Sequence, residues 1–118
     1  TVDENIKFWM RLFSSSIKTK EVEATLNLLE LVKYKNIKVG YLSAGEIKKL
    51  ELCRLVIERK KLWLLDEPFN NLDEATTNLL NETFKNHIEK QGMIIFSSHF
   101  NLELQNMDII KLENYVYN

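Results

Sequence analysis

Four short polar segments follow one another along the chain, and their residue types could carry chemistry. They are the turn 42–46, the acidic pair Asp66 and Glu67 after the apolar run 62–65, the segment 71–73, and His99. A turn that opens a helix presents unpaired N–H groups, which together with the helix dipole favour an anion. An acidic pair after a buried strand could place chemistry at the strand's carboxyl end. The segments therefore mark two candidate places, a helix N-terminus and a strand end.

Each segment also has an explanation that involves no function. Ser43 and Glu46 could form only a capping box, and the acidic pair could be the polar exit of a buried strand. Asp73 could simply cap the next helix. His87 is interpreted as a solvated helix residue with no role, and His99 alone would receive the same interpretation. Only the combination of the four segments points to function.

The apolar spacing predicts the elements that must position these groups. Thr1 with Glu4, and Ser43 with Glu46, form capping-box patterns that open two of the helices, and Asp73 is expected to cap another. The continuous apolar runs predict short strands that are buried on both faces, as in parallel sheets. Helices are expected over about 2–13, 20–31, 43–59, 74–90 and 100–106, and strands over about 62–65, 93–97 and 108–112. The helix over 2–13 is expected to end at the serines 14–16.

The order of these elements predicts an α/β protein. Residues 1–59 are expected to be helical, and residues 60–118 to alternate between strand and helix. We expect the strands at 62 and 93 to be parallel, which would bring Glu67 and His99 to one sheet edge. Trp9 and Leu26 lie on apolar stripes, which predicts that the first two helices pack with the helix from 43 as one layer.

Composition excludes several classes of protein. The chain has 118 residues, 45% of them hydrophobic and 28% charged, which is typical of one ordinary globular domain. Sixteen Lys and Arg against seventeen Asp and Glu leave a net charge of −1, so no overall positive charge recruits nucleic acid or an anionic membrane. Cys53 is the only cysteine, which excludes an internal disulfide. Apolar runs of four or five residues are too short to span a bilayer.

Because the chain begins with Thr1 and has no leader pattern, we expect a fragment of a longer reading frame.

Taken together, the order and spacing of the four segments resemble the ATPase subunit of ABC transporters. In that family a signature sequence precedes a Walker B strand, a D-loop and a switch histidine, and Arg54 falls where the family usually has an arginine. The resemblance covers nearly the whole chain. It implies a partial P-loop NTPase fold, with a helical subdomain over 1–59 and the C-terminal half of a RecA-like core over 60–118.

Departures from the family pattern are informative. Ala44 replaces the usual glycine of the signature, Glu46 replaces the more frequent glutamine, and Gly45 is kept. The signature and the run from Trp63 to Phe69 look most like the ATPase of the haem exporter of cytochrome c maturation. The sequence contains no Gly-x-x-x-x-Gly-Lys-Ser/Thr loop, so the phosphate cradle is missing. The aromatic residue that stacks on adenine and the Q-loop glutamine are missing as well.

The resemblance implies a role for each segment. Asp66 would orient hydrated Mg²⁺, Glu67 would accept a proton from the attacking water, and His99 would hold the γ-phosphate of ATP. The signature turn would bind ATP held by the opposite subunit, through Ser43, Ala44, Gly45 and Glu46. The D-loop residues Asn71, Leu72 and Asp73 would cross the dimer interface. Because the P-loop lysine is missing, the isolated chain is expected to be inactive.

The family also implies partners, namely a second ATPase subunit in a head-to-tail dimer and a membrane-spanning transporter subunit. The chain would then lie on the cytoplasmic or organelle-matrix face of a membrane, and no nucleic acid is expected. A split or degenerate module that completes a partner's ATP site is an alternative. A DNA-maintenance ATPase shares the signature, but it should show long heptad flanks or a basic surface, and the sequence has neither.

Overall fold

The computed structural model describes residues 1–13, 17–99 and 107–115. The α-helices are α1 (Val2–Leu12), α2 (Thr19–Leu28), α3 (Ala44–Glu58) and α4 (Glu74–Glu89), and the strands are β1 (Leu62–Leu65) and β2 (Met93–Phe96). Short 3₁₀ turns occur at Val32–Tyr34, Val39–Tyr41 and Leu112–Tyr115. In the described part of the chain, no helix is both long and apolar enough to cross a membrane.

The first three α-helices form one layer, as predicted. Thr1 and Ser43 both cap their helices in complete capping boxes, and α1 and α2 both pack against α3. Leu26 is buried and Trp9 is half-buried against the same cluster. The second helix ends earlier than predicted because Glu30 takes a left-handed φ of 56°.

The hydrophobic core joins the helical layer to the strand-bearing part of the chain. Its fully buried members come from both parts and are Val2, Leu29, Leu31, Leu52, Cys53, Ile57 and Leu80. Burial raises the pKa of the Cys53 thiol to about 12, so this thiol stays protonated at neutral pH. The cysteine therefore acts as a small core residue.

β1 and β2 pair in parallel, as predicted, and α4 connects them. Leu62 pairs with Met93 and Leu65 with Phe96, so both strands end at the same level. Trp63 faces the core and stacks on His87 at 3.7 Å between ring centroids. The interpretation of His87 as a solvated residue is therefore wrong, because its ring covers the indole and its Nε2 lies 3.0 Å from the Lys61 carbonyl oxygen.

The prediction that these strands are buried on both faces is wrong for this chain. The outward side chains of Leu62, Leu64, Met93 and Ile95 are 42%, 69%, 52% and 63% exposed. The physical reason is that α4 covers one face of the sheet, while no element among the described residues covers the other. We call these four side chains the open sheet face.

The predicted strand at 108–112 is also wrong. Residues 107–111 carry no regular structure, and Leu112–Tyr115 forms a 3₁₀ turn instead. Ile109 and Ile110 are largely exposed, and no strand within 1–13, 17–99 or 107–115 pairs with this apolar segment. The predicted helix at 100–106 and the serines at 14–16 lie outside the described residues.

Candidate functional site

The carboxyl ends of β1 and β2 bring a polar cluster together, and Ser97 lies at its centre. The Ser97 hydroxyl donates to Asp66 Oδ1 at 2.6 Å and accepts from the backbone N–H of Glu67 at 2.9 Å. The Ser97 N–H continues the sheet by donating to the Leu65 carbonyl at 3.1 Å. Ser97 therefore fixes both acidic residues relative to β2. Sequence analysis missed this residue, although its place at the end of a parallel strand is the signal that could have found it.

Glu67 is held from several sides. His99 Nε2 contacts Glu67 Oε1, and Asn70 Nδ2 donates to Glu67 Oε2. Its backbone adopts a left-handed φ of 45°, and such conformations in non-glycine residues cost on the order of 1–3 kcal/mol. Strained backbone of this kind persists only where its surroundings hold it, which here are Ser97 and Asn70. The predicted proximity of Glu67 and His99 is confirmed.

The donor set at Asp66 fits a hydrated divalent cation. Asp66 is exposed and supplies a hard carboxylate oxygen. Across the described residues, no group of three or more Asp, Glu, His or Cys side chains could hold a metal ion. Mg²⁺ usually keeps several waters and binds through one or two carboxylates together with substrate phosphates. An exposed carboxylate such as that of Asp66 is therefore the type of donor that Mg²⁺ uses.

The signature turn forms the start of α3, where Ser43 is the N-cap in a complete capping box. Ser43 Oγ accepts from the Glu46 N–H at 3.3 Å, and Glu46 Oε2 accepts from the Ser43 N–H at 2.7 Å. Hydrogen bonds from Tyr34 and from the Ser43 backbone lower the pKa of Glu46, so its carboxylate stays ionised and folded back. Glu46 thus caps the turn. Sequence analysis missed Tyr34, because it lies in a segment without helical period.

Gly45 has space for a side chain within this chain. A Cβ atom on Gly45 would meet only Thr76 Oγ1, at 3.8 Å, an ordinary contact distance. Glycine inside a helix costs roughly 0.5–1 kcal/mol relative to alanine. The chain's own packing does not require glycine at position 45. A glycine there would allow a ligand or another chain to approach the backbone closely.

The D-loop segment links the sheet edge to α4. Asn71 takes a left-handed φ of 56°, and Leu72 is half-buried against the core. Asp73 Oδ1 accepts from the Thr76 N–H at 2.7 Å. Hydrogen bonding from Thr76, first from its side chain and then from its backbone, lowers the pKa of Asp73. Asp73 is the N-cap of α4, as predicted.

The structure therefore assembles the predicted residues in two groups rather than in one site. Asp66, Glu67 and His99 meet at the sheet edge, whereas Ser43 and Glu46 bond to each other at the start of α3. Ala44 is the first residue of α3, beside Gly45.

Comparison with known proteins identifies the family. The profile of the family described as ABC transporter matches residues 1–70, which is more than half of the chain.

This chain belongs to the ABC transporter family.

Several curated relatives in this family share one name, cytochrome c biogenesis ATP-binding export protein CcmA. The protein of Pasteurella multocida is 30% identical over 117 residues, which cover 99% of this chain and 55% of that protein. The protein of Wolbachia pipientis is 36% identical over 104 residues, covering 87% and 48%. The protein of Paracoccus denitrificans is 31% identical over 112 residues, covering 95% and 51%. The predicted resemblance to this type of ABC ATPase is confirmed, and the chain spans about half the length of these relatives.

Solved structures confirm the fold. Two structures of an ATP-binding cassette of an ABC transporter, one of them in its ADP conformation, superpose with TM-scores of 0.54 and 0.55 at 21% and 20% identity. Each covers 76% of this chain and 38% of the cassette. The predicted partial P-loop NTPase fold is therefore correct.

Proposed function

We propose that this chain supplies the signature, general base and switch histidine of an ATP-hydrolysing ABC transporter subunit that powers export for cytochrome c maturation, with haem as the cargo class. The observation that supports it most directly is the sheet-edge cluster, where His99 and Asn70 both hold the Glu67 carboxylate. The names of the relatives support the transport process.

In this proposal Glu67 is the general base. Its carboxylate accepts the proton of the water that attacks the γ-phosphate, a task worth typically 10² to 10⁴ in rate. His99 is exposed beside it and donates through Nε2, so it can bond either to Glu67 or to a phosphate oxygen that replaces it. Asn70 fixes the second carboxylate oxygen and so sets the direction of the first.

Mg²⁺ would be held at Asp66 through water and would neutralise charge on the transferred phosphate. Ser97 keeps the Asp66 carboxylate in place from the neighbouring strand. Most of the rate enhancement in phosphoryl transfer comes from such positioning and charge neutralisation. The proposal therefore assigns this chain a positioning role that needs a P-loop from elsewhere.

The two separate half-sites support a head-to-tail dimer. Ser43, Ala44, Gly45 and Glu46 would cover the ATP of the opposite subunit, and Asn71, Leu72 and Asp73 would cross the interface. A membrane-spanning subunit would carry the substrate, with the ATPase bound peripherally at the cytoplasmic or matrix face. A second candidate is a split module that completes a partner's ATP site, in which the P-loop lies on a separate chain.

The test uses this chain joined to a P-loop-bearing N-terminal half. Glu67→Gln should lower kcat for ATP by at least about 100-fold and leave the ATP KM nearly unchanged, because the amide keeps the shape but cannot take the proton. Glu82→Gln is the matched control, since Glu82 is an exposed glutamate on α4 away from the cluster. Equal rates for Glu67→Gln and Glu82→Gln would overturn the proposed role.

The transport assignment has its own test. The joined protein should restore c-type cytochromes in a bacterium that lacks its cytochrome c biogenesis ATP-binding export protein, whereas the Glu67→Gln form should not. Covalent haem in the cytochromes is the measurement. An active ATPase that restores no c-type cytochrome would overturn the cargo assignment while leaving the ATPase assignment intact. Activity with a P-loop segment only when it is supplied on a separate chain would favour the split module.

A further inference from the structure

A cavity of about 590 Å³ lies at the opposite end of the sheet from the cluster of Asp66, Glu67 and His99. Lys61 and Gly92 line it and directly precede β1 and β2, whereas the cluster follows those strands. Side chains of α2, α3 and the end of α4 supply the other walls. Pockets for small molecules usually measure about 300–1,000 Å³. The cavity therefore has the size of a ligand site, and it is separate from the proposed site of ATP hydrolysis.

One part of the lining is apolar. Ile17 is buried there, and Leu28, Leu55 and Val56 are half-buried. Trp63, which is 3% exposed, also lines the cavity. Removing the apolar part of a ligand from water against these side chains is favourable.

The charged part of the lining is mostly positive. It has four cationic side chains and one carboxylate, which are Arg59, Lys60, Lys61, Lys90 and Glu21. This local excess of three positive charges contrasts with the net charge of −1 for the whole chain. Glu21 is already engaged, because its two oxygens accept from Arg59 Nη2 at 2.8 and 2.7 Å. Among the described residues, the three lysines form no salt bridge, so their ammonium groups can bind an anion.

The hydrogen-bond donors of the lining also fit an anion. Thr25 and Thr83 line the cavity, but their hydroxyl groups donate to the carbonyl oxygens of Glu21 and Leu79 at 2.9 and 2.8 Å. The buried indole Nε1 of Trp63 has no hydrogen-bond partner in the part of the chain that the structure describes, although a buried indole N–H usually has an acceptor. The donors without a partner therefore include lysine ammonium groups and an indole N–H. An anionic oxygen accepts from both kinds.

We propose that this cavity is a binding site for a free amphipathic organic anion. Its apolar body packs against Leu28, Leu55 and Val56, and its carboxylate or phosphate binds the lysines at 60, 61 and 90. Apolar and positive side chains line the same cavity, so one molecule must supply both parts, whereas a phospholipid in a bilayer keeps its acyl chains in the membrane. No residue of the signature turn or of the sheet-edge cluster lines the cavity, so the site does not depend on the proposed ATP hydrolysis.

The experiment measures the binding of decanoate by equilibrium dialysis to this chain joined to a P-loop-bearing half. Decanol has the same apolar chain without the charge, and its Kd should be at least about tenfold higher than that of decanoate. Lys60→Gln combined with Lys90→Gln should raise the Kd of decanoate about tenfold or more. The matched control is Lys38→Gln combined with Lys111→Gln, which removes the same charge from exposed positions outside the cavity. Equal Kd values for the two double variants would overturn the proposal.

A second variant tests the cavity without changing its charge. Ala24 lines the cavity from α2, so the ring of Ala24→Phe should occupy part of it and raise the Kd of decanoate at least about tenfold. Glu23→Phe places the same ring on the neighbouring position, which does not line the cavity, and should bind decanoate no more weakly than the wild type does. Circular dichroism and thermal unfolding show that each variant is folded. Unchanged decanoate binding by a folded Ala24→Phe variant would place the anion elsewhere and overturn the proposal.

Vesicles of phosphatidylglycerol distinguish a free anion from a membrane surface. We expect the joined protein to bind decanoate and not to sediment with these vesicles. Sedimentation that depends on Lys60 and Lys90, with no decanoate binding up to about 1 mM, would show that the lysines bind lipid head groups and would overturn the proposal. An inactive ATPase would count against the proposed function alone, because decanoate binding is measured without ATP.

Discussion

Ser97 shows how much of the candidate site depends on a single hydroxyl group. It donates to Asp66 Oδ1 at 2.6 Å and accepts from the Glu67 N–H at 2.9 Å. Both acidic residues lie beyond the end of β1, where the sheet itself no longer fixes them. The Ser97 hydroxyl group therefore holds both acidic residues at the next position beyond the paired strands.

Ser97→Ala should therefore disturb catalysis more than stability. We expect kcat of the joined protein to fall by about ten- to a hundredfold, because Asp66 and Glu67 lose a shared anchor. The free energy of unfolding should fall by only about 1 kcal/mol, the usual net worth of one hydrogen bond. Steady-state ATPase rates and urea unfolding are the measurements. Ser97→Thr keeps the hydroxyl group and serves as the control, and an active Ser97→Ala enzyme would contradict the role given to Ser97.

Gly45 gives a second prediction at the scale of a residue, in which stability and activity change in opposite directions. Gly45→Ala should stabilise the chain by roughly 0.5–1 kcal/mol, because alanine is the better helix former and its Cβ fits beside Thr76. The same Cβ should block the approach of phosphate and lower ATP turnover strongly. Thermal unfolding and ATPase rates give both numbers.

Gly40→Ala is the matched control for that experiment. Gly40 lies in the 3₁₀ turn Val39–Tyr41, and a Cβ there would have no neighbour within 4 Å. We expect Gly40→Ala to leave turnover unchanged. A Gly45→Ala enzyme with wild-type turnover would show that no ligand approaches this turn closely.

Among the elements, α4 carries a pH-dependent cap. The pKa of Asp73 is lowered in the folded chain by the Thr76 hydrogen bonds. A lowered folded-state pKa means that the stabilisation is present above the unfolded pKa of about 3.9 and is lost as the pH falls through the folded pKa. Asp73→Asn keeps the cap without the titration. Acid unfolding below about pH 4 should therefore be less steep in Asp73→Asn than in the wild type.

Circular dichroism along an acid titration measures this difference. Glu74→Gln is the control, because Glu74 is exposed in the first turn of the same helix and does not cap it. Identical titration curves for wild type and Asp73→Asn would contradict the role of the Asp73 carboxylate.

Most of the helices and strands could be predicted from the sequence. Four helices, two strands and three caps followed from local spacing, since Thr1, Ser43 and Asp73 bond to residues three positions away. The role of Ser97 was missed because its partners, Asp66 and Glu67, are distant in sequence. The effect of Tyr34 on the pKa of Glu46 was missed for the same reason. The strand at 108–112 was predicted wrongly for a related reason, because a strand exists only where another strand pairs with it.

At the scale of the whole molecule, the open sheet face is the main departure from an ordinary α/β protein. Parallel sheets are normally covered on both faces, yet Leu64 and Ile95 are 69% and 63% exposed. The relatives are about twice as long as this chain, so about half of each relative has no counterpart here. The open sheet face is where we expect the remaining half of the ATPase to pack.

Association of the isolated chain follows from this exposure. Burying apolar surface contributes about 25 cal/mol per Å², and an open parallel edge offers unpaired backbone groups beside it. We expect sedimentation to show dimers or larger species for the isolated 118-residue chain. Leu64→Thr combined with Ile95→Thr should reduce association, while Ile88→Thr, which changes an exposed isoleucine on α4, should not.

We expect that the isolated chain does not bind ATP measurably, because its sequence contains no P-loop to hold the phosphates. Joining a P-loop-bearing N-terminal half should restore both ATP binding and a defined molecular mass, because one addition supplies the phosphate cradle and covers the open sheet face. Calorimetric titration with ATP and Mg²⁺, beside sedimentation of the same samples, measures both properties. Micromolar ATP binding by a clean monomer of the isolated chain would show that the nucleotide site lies elsewhere in these 118 residues.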